Sequence, residues 1–194
     1  MPGRMMIAAT LATALVWAPT FAQAQVTTPP QSQAQDQQPE VGKLDTKTYV
    51  QAAAIGDLFE IESSKLVAER SQEPAIRSFA MTLIADHTQL HNKLRRILAE
   101  DGQTAVLPDR LDAPHMEMLV RLENTAGSDF DRLFVQAQLA ALKEAMRIHE
   151  AYKNTGTDKD LVAYAGEALV VIRRHHDTLR KGVSPLDTAI RYIQ

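Results

Sequence analysis

Glu60, His87 and His175 are the side chains whose types and spacing could do chemistry together. Between Pro74 and Glu100, apolar residues recur every three or four positions, at Ile76, Phe79, Leu83, Leu90, Leu94 and Ile97. His87 falls inside that stripe, and His91 lies one turn further along the same side. A later stripe runs through Leu161, Ala165, Ala168, Ile172 and Leu179; it includes His175, with His176 at its flank. Another face carries Gln138, Leu142, Ala145, His149 and Tyr152. For the first amphipathic segment two stripes compete. One passes through Tyr49, Ala53, Gly56, Glu60, Ser63 and Val67, small residues around an ionisable one; the other passes through Ile55, Leu58, Glu62 and Leu66. The first is preferred, because small residues leave room for close helix approach and a bound group.

Interior carboxylates and imidazoles drawn from facing helices are what a metal site in a bundle requires. Imidazole suits Fe, Cu, Zn and Ni, while a carboxylate adds a hard oxygen and cancels charge. Each histidine taken singly has a plainer explanation, a hydrogen bond to a neighbouring side chain or water. Two stripe histidines and a stripe glutamate weigh against that explanation for all three, given the cost of burying them unpaired. His115, Met116 and Met118 form a softer group that could hold Cu(I), although methionines in such a place more often cap a core.

The elements that must position these residues are helices. Gly and Pro cluster where helices should stop, and no stretch from Asp45 onward alternates with period two. Four long helices are expected, over about Thr46–Arg70, Pro74–Glu100, Ser128–Asn154 and from Thr157 or Asp158 to Lys181. Pro74 suits a first helical position. Ser128 and Asp131 resemble a capping box, and Gly182 with Pro185 ends the last helix. The connection Asp101–Gly127 is long and carries a short helix, Ala113–Glu123, with Asp112 as its cap; the other two connections are a few residues each. Short, long, short is the connection pattern of an all-α, ferritin-like four-helix bundle with one crossover, in which the second and third long helices run parallel. An up-down bundle with an ornamented loop is the alternative.

Outside residues 45–182 the chain reads differently. Residues 1–24 have the form of a secretory signal peptide, with Arg4, an apolar run from Met5 to Val16, and Ala22-Gln23-Ala24 as a cleavage signature. The apolar run is short for a membrane anchor, so the mature chain is expected without a transmembrane segment. Residues 25–44, rich in Gln and Pro, form a tether too polar to offset the entropy of ordering, and 183–194 form a C-terminal tail. There is no cysteine, so thiolate ligands and disulfides are excluded. A hydrophobic content of 45% leaves enough apolar mass for a self-supporting core. The net charge of −3 offers no electrostatic case for nucleic acid. Phosphate-binding glycine loops, nucleophile elbows and zinc-protease motifs are missing from the sequence.

The strings FEIESSKL (Phe59 to Leu66), RSFAMTLIADHTQL (Arg77 to Leu90), GSDFDRLFVQAQ (Gly127 to Gln138) and RRHH (Arg173 to His176) resemble the exported bacterial family called domain of unknown function 4142. The resemblance covers about Tyr49 to Lys181. It implies a ferritin-like bundle and a place in the cell envelope, periplasmic or associated with the outer membrane, and it supplies no established activity. The family pattern implies a glutamate in the first long helix, an Asp-His pair in the second, and one histidine in each of the third and fourth. Carried over, these are Glu60, Asp86-His87 and His175. The third-helix position, in the run QAQLAALKEAM, is Leu142, which cannot ligate a metal. Either the site is lost, or it is displaced: His91 and His149 lie further along their helices by roughly 6 and 10 Å and could face one another as a second pair.

Three functions compete on this sequence. The first is a non-enzymatic, stress-related envelope protein whose bundle binds a transition metal (Fe, Cu or Zn) or a protein partner. The second is a metal-dependent oxidoreductase acting on oxygen or peroxide. The dinuclear carboxylate template needs Glu-x-x-His, which this sequence lacks, so redox chemistry would need a histidine-rich centre. The third is a purely structural or interaction module held near the envelope by its Gln/Pro tether, with a protein partner or a homo-oligomer as its assembly. The non-enzymatic reading is preferred.

Overall fold

A computed structural model of the protein describes residues 44–100 and 107–182. The expected signal peptide and C-terminal tail, and the tether up to residue 43, lie outside the described residues. Those residues fold into α1 (Thr46–Arg70), α2 (Pro74–Glu100), α3 (Ala113–Glu123), α4 (Ser128–Thr155) and α5 (Lys159–Lys181), with no strand among them. None of these helices is long and apolar enough to cross a membrane.

The helix ends follow from local chemistry. Asp45, Asp112 and Asp158 each accept a hydrogen bond from a backbone N–H of the first turn, at Thr48, His115 and both Asp160 and Leu161 respectively. Asp158, and not Thr157, therefore caps α5. The expected capping box of α4 does not form. Ser128 is already helical, and Gly127 precedes it with φ 62° and ψ −148° and no side-chain cap. That backbone conformation strains any residue with a Cβ, so the chain enters α4 through glycine geometry and not through a serine hydroxyl.

α1 packs against α2 and α4, and α5 packs against the same two helices. Around the core the order is therefore α1, α2, α5, α4. Side-chain pairs fix the directions. Thr46 meets Tyr152 while Arg70 lies over Phe130, so α1 and α4 are antiparallel. Phe79 meets His175 while Lys93 pairs with Glu167, so α2 and α5 are antiparallel too. The short connection after Arg70 reverses the chain between α1 and α2, and α2 and α4 run in the same direction. α3 lies across α1 and α4, and Arg70 donates to the carbonyls of Leu122, Glu123 and Thr125 to hold its end.

The core between the four long helices is filled by Phe79, Leu83, Leu94, Phe134, Leu142, Tyr164, Ile172 and their neighbours. α1 differs from the others. Pressed by α2, α4 and α3, it buries a wide arc from Tyr49 to Val67 that includes Asp57, Glu60, Ser63 and Ser64.

Candidate functional site

Midway along the bundle, four ionisable side chains from three helices meet in the interior. Asp57 and Glu60 come from α1, His87 from α2 and His175 from α5, and all are at most 4% exposed. Glu60, and not Glu62, is the buried glutamate; Glu62 is exposed and pairs with Lys65. His87 donates Nδ1–H to Asp57 Oδ1 at 2.8 Å, and the Tyr164 hydroxyl donates to Asp57 Oδ2 at 3.3 Å. His175 donates Nε2–H to Asp86 Oδ2 at 2.8 Å, and Arg174 reaches the same oxygen at 2.6 Å. The two imidazole rings stand 5.4 Å apart between centroids.

What these bonds leave over matters more than the bonds themselves. Each histidine has one nitrogen fixed by a carboxylate, and the other nitrogen, His87 Nε2 or His175 Nδ1, is buried with no partner. Both oxygens of Glu60 are likewise buried and unpartnered. A carboxylate on the far nitrogen of an imidazole is the arrangement that orients metal-ligating histidines and raises their basicity. Asp86, carried over from the family pattern beside His87, is thus turned outward to hold His175.

Electrostatics differ among the three groups. Burial pushes the Glu60 carboxyl up to about 7, opposed by His87, helped by the Asp57 charge, and opposed again by the Gln138 amide, which lies close by without meeting hydrogen-bond geometry. Burial pulls His87 down, but the hydrogen bond to Asp57 and the charges of Glu60, Asp57 and Asp86 together leave its pKa raised. For His175, burial outweighs Asp86 and the pKa falls to about 4, so the ring is neutral at pH 7 with a free lone pair on Nδ1.

The other two candidate histidines are placed elsewhere. His149, on α4, shares a 3.0 Å hydrogen bond through Nδ1 with the Tyr49 hydroxyl and packs its ring against Tyr49 and Tyr164. Burial lowers its pKa to about 4. His91 is buried with Nδ1 unpartnered, and burial lowers its pKa, against the pull of Asp57. Among the described residues no hydrogen bond or ring contact joins His91 to His149. Leu142 is fully buried apolar core. His115 bonds Asp112 at 2.5 Å and packs on Phe59, while Met116 is exposed.

Sequence reading missed Asp57 and Tyr164. The signal was present: Ala53, Asp57 and Glu60 continue one face by steps of four and three, and Leu161, Tyr164 and Ala168 do the same. Among the described residues, no three His, Asp or Glu side chains already stand grouped to hold a metal ion. The fit to a metal therefore rests on the donor set. Two imidazole nitrogens and a carboxylate, buried and unpartnered, have the right chemistry for a first-row ion, with anchoring carboxylates behind both rings.

An all-α protein with carboxylates and imidazoles in its interior is the class that fold and site together define. The chain belongs to the family described as Domain of unknown function (DUF4142), which it matches over residues 28–181. Its fold is similar to a solved structure described as the crystal structure of a DUF305 fragment from Deinococcus radiodurans. The TM-score is 0.61 at 16% identity, over 71% of this chain and 93% of that one. No curated protein matches the chain. At that identity the likeness speaks for the fold alone.

Proposed function

We propose that this is an exported, ferritin-like bundle protein of the cell envelope whose interior binds one transition-metal ion through Glu60, His87 Nε2 and His175 Nδ1. The observation that carries the reading is the unpartnered state of these buried atoms, set against the carboxylate partner on each opposite ring nitrogen. A buried polar group without a partner costs about 1–3 kcal/mol, more when charged, and a metal would remove that cost at three groups at once. The donor atoms must draw together by side-chain rotation, and binding would expel the proton that His87 readily holds. A ferritin-like topology is supported by α2 and α4 running in the same direction across a long connection. Export is supported by the signal-like residues 1–24.

The chain's own residues divide the work. Glu60 supplies negative charge, the histidines supply nitrogen, and Asp57 and Asp86 set tautomer and orientation. Leu142 of α4 is buried hydrocarbon and cannot ligate, while Gln138 of the same helix lies against Glu60 with its amide oxygen buried and unpartnered. A bound Fe, Cu or Zn would supply a Lewis-acidic or redox centre; no catalytic step is assigned.

Elemental analysis and Co(II) and Zn(II) titration of the mature protein, produced without a His tag, test the reading. One ion per chain is expected, with affinity reduced at least 100-fold in His87→Ala, reduced 10–100-fold in Asp57→Asn and unchanged in His149→Ala. Protein that stays metal-free under saturating ion, with its helical content intact, overturns it. That outcome would favour an interaction module, a reading to which the lack of a ready-made ligand group among the described residues also lends support.

A further inference from the structure

A cavity of about 190 Å³ lies between α1 and α4, and its two ends differ. Its floor is formed by Asp57, Glu60 and His87, all buried. Its rim is formed by Asp112, His115 and Glu144, with Asp112 and Glu144 exposed. Between them the wall is mostly apolar, with Gly56, Ala141 and Ala145 beside Ile55, Ile148 and Ile172. A Cβ added at Gly56 would meet nothing within 4 Å, so the backbone there borders open space. The helical conformation at Gly56 does not itself require glycine.

Carboxylates outnumber cationic groups along this cavity. Four carboxylates line it, and no lysine or arginine does so among the described residues. Asp57 is partnered by His87 at the floor, Asp112 by His115 and Glu144 by Arg147 at the rim. Glu60 is the carboxylate with both oxygens unpartnered, and it sits at the buried end. Low-dielectric walls lined by like charge focus the field and raise the local concentration of the opposite charge.

We propose that this cavity is the route by which a bare divalent cation reaches Glu60 and His87 from solvent, with Gly56 keeping the passage open. The inference rests on the metal-binding reading above and adds path and selectivity to it. The carboxylates of the lining favour a free cation over an anionic chelate. The cation meets Glu60 first, and the carboxylate hands it to His87 Nε2 beside it. Gly56 has no side chain with which to bind the ion, so its effect is on rate.

Stopped-flow mixing of the full mature protein with Co(II), followed by the visible absorption of the bound ion, tests this. Gly56→Leu fills the passage from an alanine-lined side while favouring the helix. Association and dissociation should both slow at least tenfold, with Kd unchanged within twofold. Asp112→Asn combined with Glu144→Gln should slow association about threefold at low salt, an effect lost at 0.5 M salt. Unchanged rates in Gly56→Leu with the same Kd would overturn the route and leave the metal site standing. A Kd that rises in Gly56→Leu with an unchanged association rate would overturn it as well, since the leucine would then be acting on the site. A wild-type protein that gives no Co(II) spectrum removes both proposals together.

Discussion

Two polar layers cross the interior of this bundle, and they treat hydrogen bonds differently. Near the start of α1 and the end of α4, Tyr49 bonds His149 and stacks on Tyr152 at 3.8 Å, while Tyr152 bonds Thr46 at 2.8 Å. No atom of Tyr49 or Tyr152 is left buried and unpartnered there. In the middle, Asp57 and Asp86 satisfy one side of each histidine, and the Glu60 oxygens, His87 Nε2 and His175 Nδ1 are left buried without a hydrogen-bond partner. Proteins rarely leave buried polar atoms unpaired, so the end layer reads as structure and the middle layer as a place reserved for something else. A buried histidine alone does not separate the two cases. Its second nitrogen does.

Several substitutions and one titration would break or sharpen that contrast. Asp57→Ala should have the largest effect, about 3–5 kcal/mol of lost stability, because it strands His87 and Tyr164 in the interior at once. Urea unfolding reads it directly, and a loss below 1 kcal/mol would mean that the pairing is not made in solution.

Acid should come next. His149 and His175 have folded pKa values of about 4 against 6.5 when free, so the native state binds fewer protons than the unfolded chain between these values. Their contribution is present above pH 6.5 and is lost as pH falls towards 4. Glu60, raised to about 7, acts the other way: its contribution is present below about 4.5 and lost as pH rises through 7. His91, also lowered, acts with the two histidines, and His87, raised, acts with Glu60; with three groups against two, thermal stability is expected to fall from pH 6.5 to 4.5. His149 is influenced by Asp57 and His87 as well as by burial, and His149→Gln should flatten the slope. A profile as steep as that of the wild type would remove His149 from the account.

The middle layer makes a prediction of opposite sign. Glu60→Leu should stabilise the metal-free protein by about 1–3 kcal/mol at pH 8, by replacing an unpaired buried carboxylate with hydrocarbon of similar size. Co(II) binding should be abolished in the same variant. A destabilised Glu60→Leu protein would show that the carboxylate has a structural partner after all. At the end layer Tyr49→Phe should cost about 1–3 kcal/mol in the same assay, because it strands His149 Nδ1 in the interior. Smallest of all, Glu62→Gln, which breaks the exposed pair with Lys65, should change stability by less than about 0.5 kcal/mol.

Much of the scaffold was legible in the residues. Helical periodicity with Asp45, Pro74, Asp112, Asp158 and Gly182 marks the starts and stops of the helices almost to the residue, since these signals act within one turn. The cap of α4 was misread because a serine near an aspartate resembles a capping box, whereas the backbone at Gly127 had already turned by a positive φ. Glu60, His87 and His175 were legible as interior groups, because each interrupts an apolar stripe. Asp57 was legible only as a continuation of the face of Ala53 and Glu60. α1 is buried across a wide arc by three neighbours, so its apolar pattern has no sharp edge, and that spacing alone did not single out an inward aspartate.

The sequence by itself determined that the described chain would be helical, that imidazoles and a carboxylate would lie inside, and that α4 would offer Leu142 in place of a ligand. Only the tertiary structure decided which acid holds which histidine, that Asp86 turns outward to His175, and that Glu60 is left with no partner at the floor of a cavity. The physical reason is one of range. Periodicity along a helix reports which face is buried, but the groups opposite that face come from other helices, and their register is set by packing.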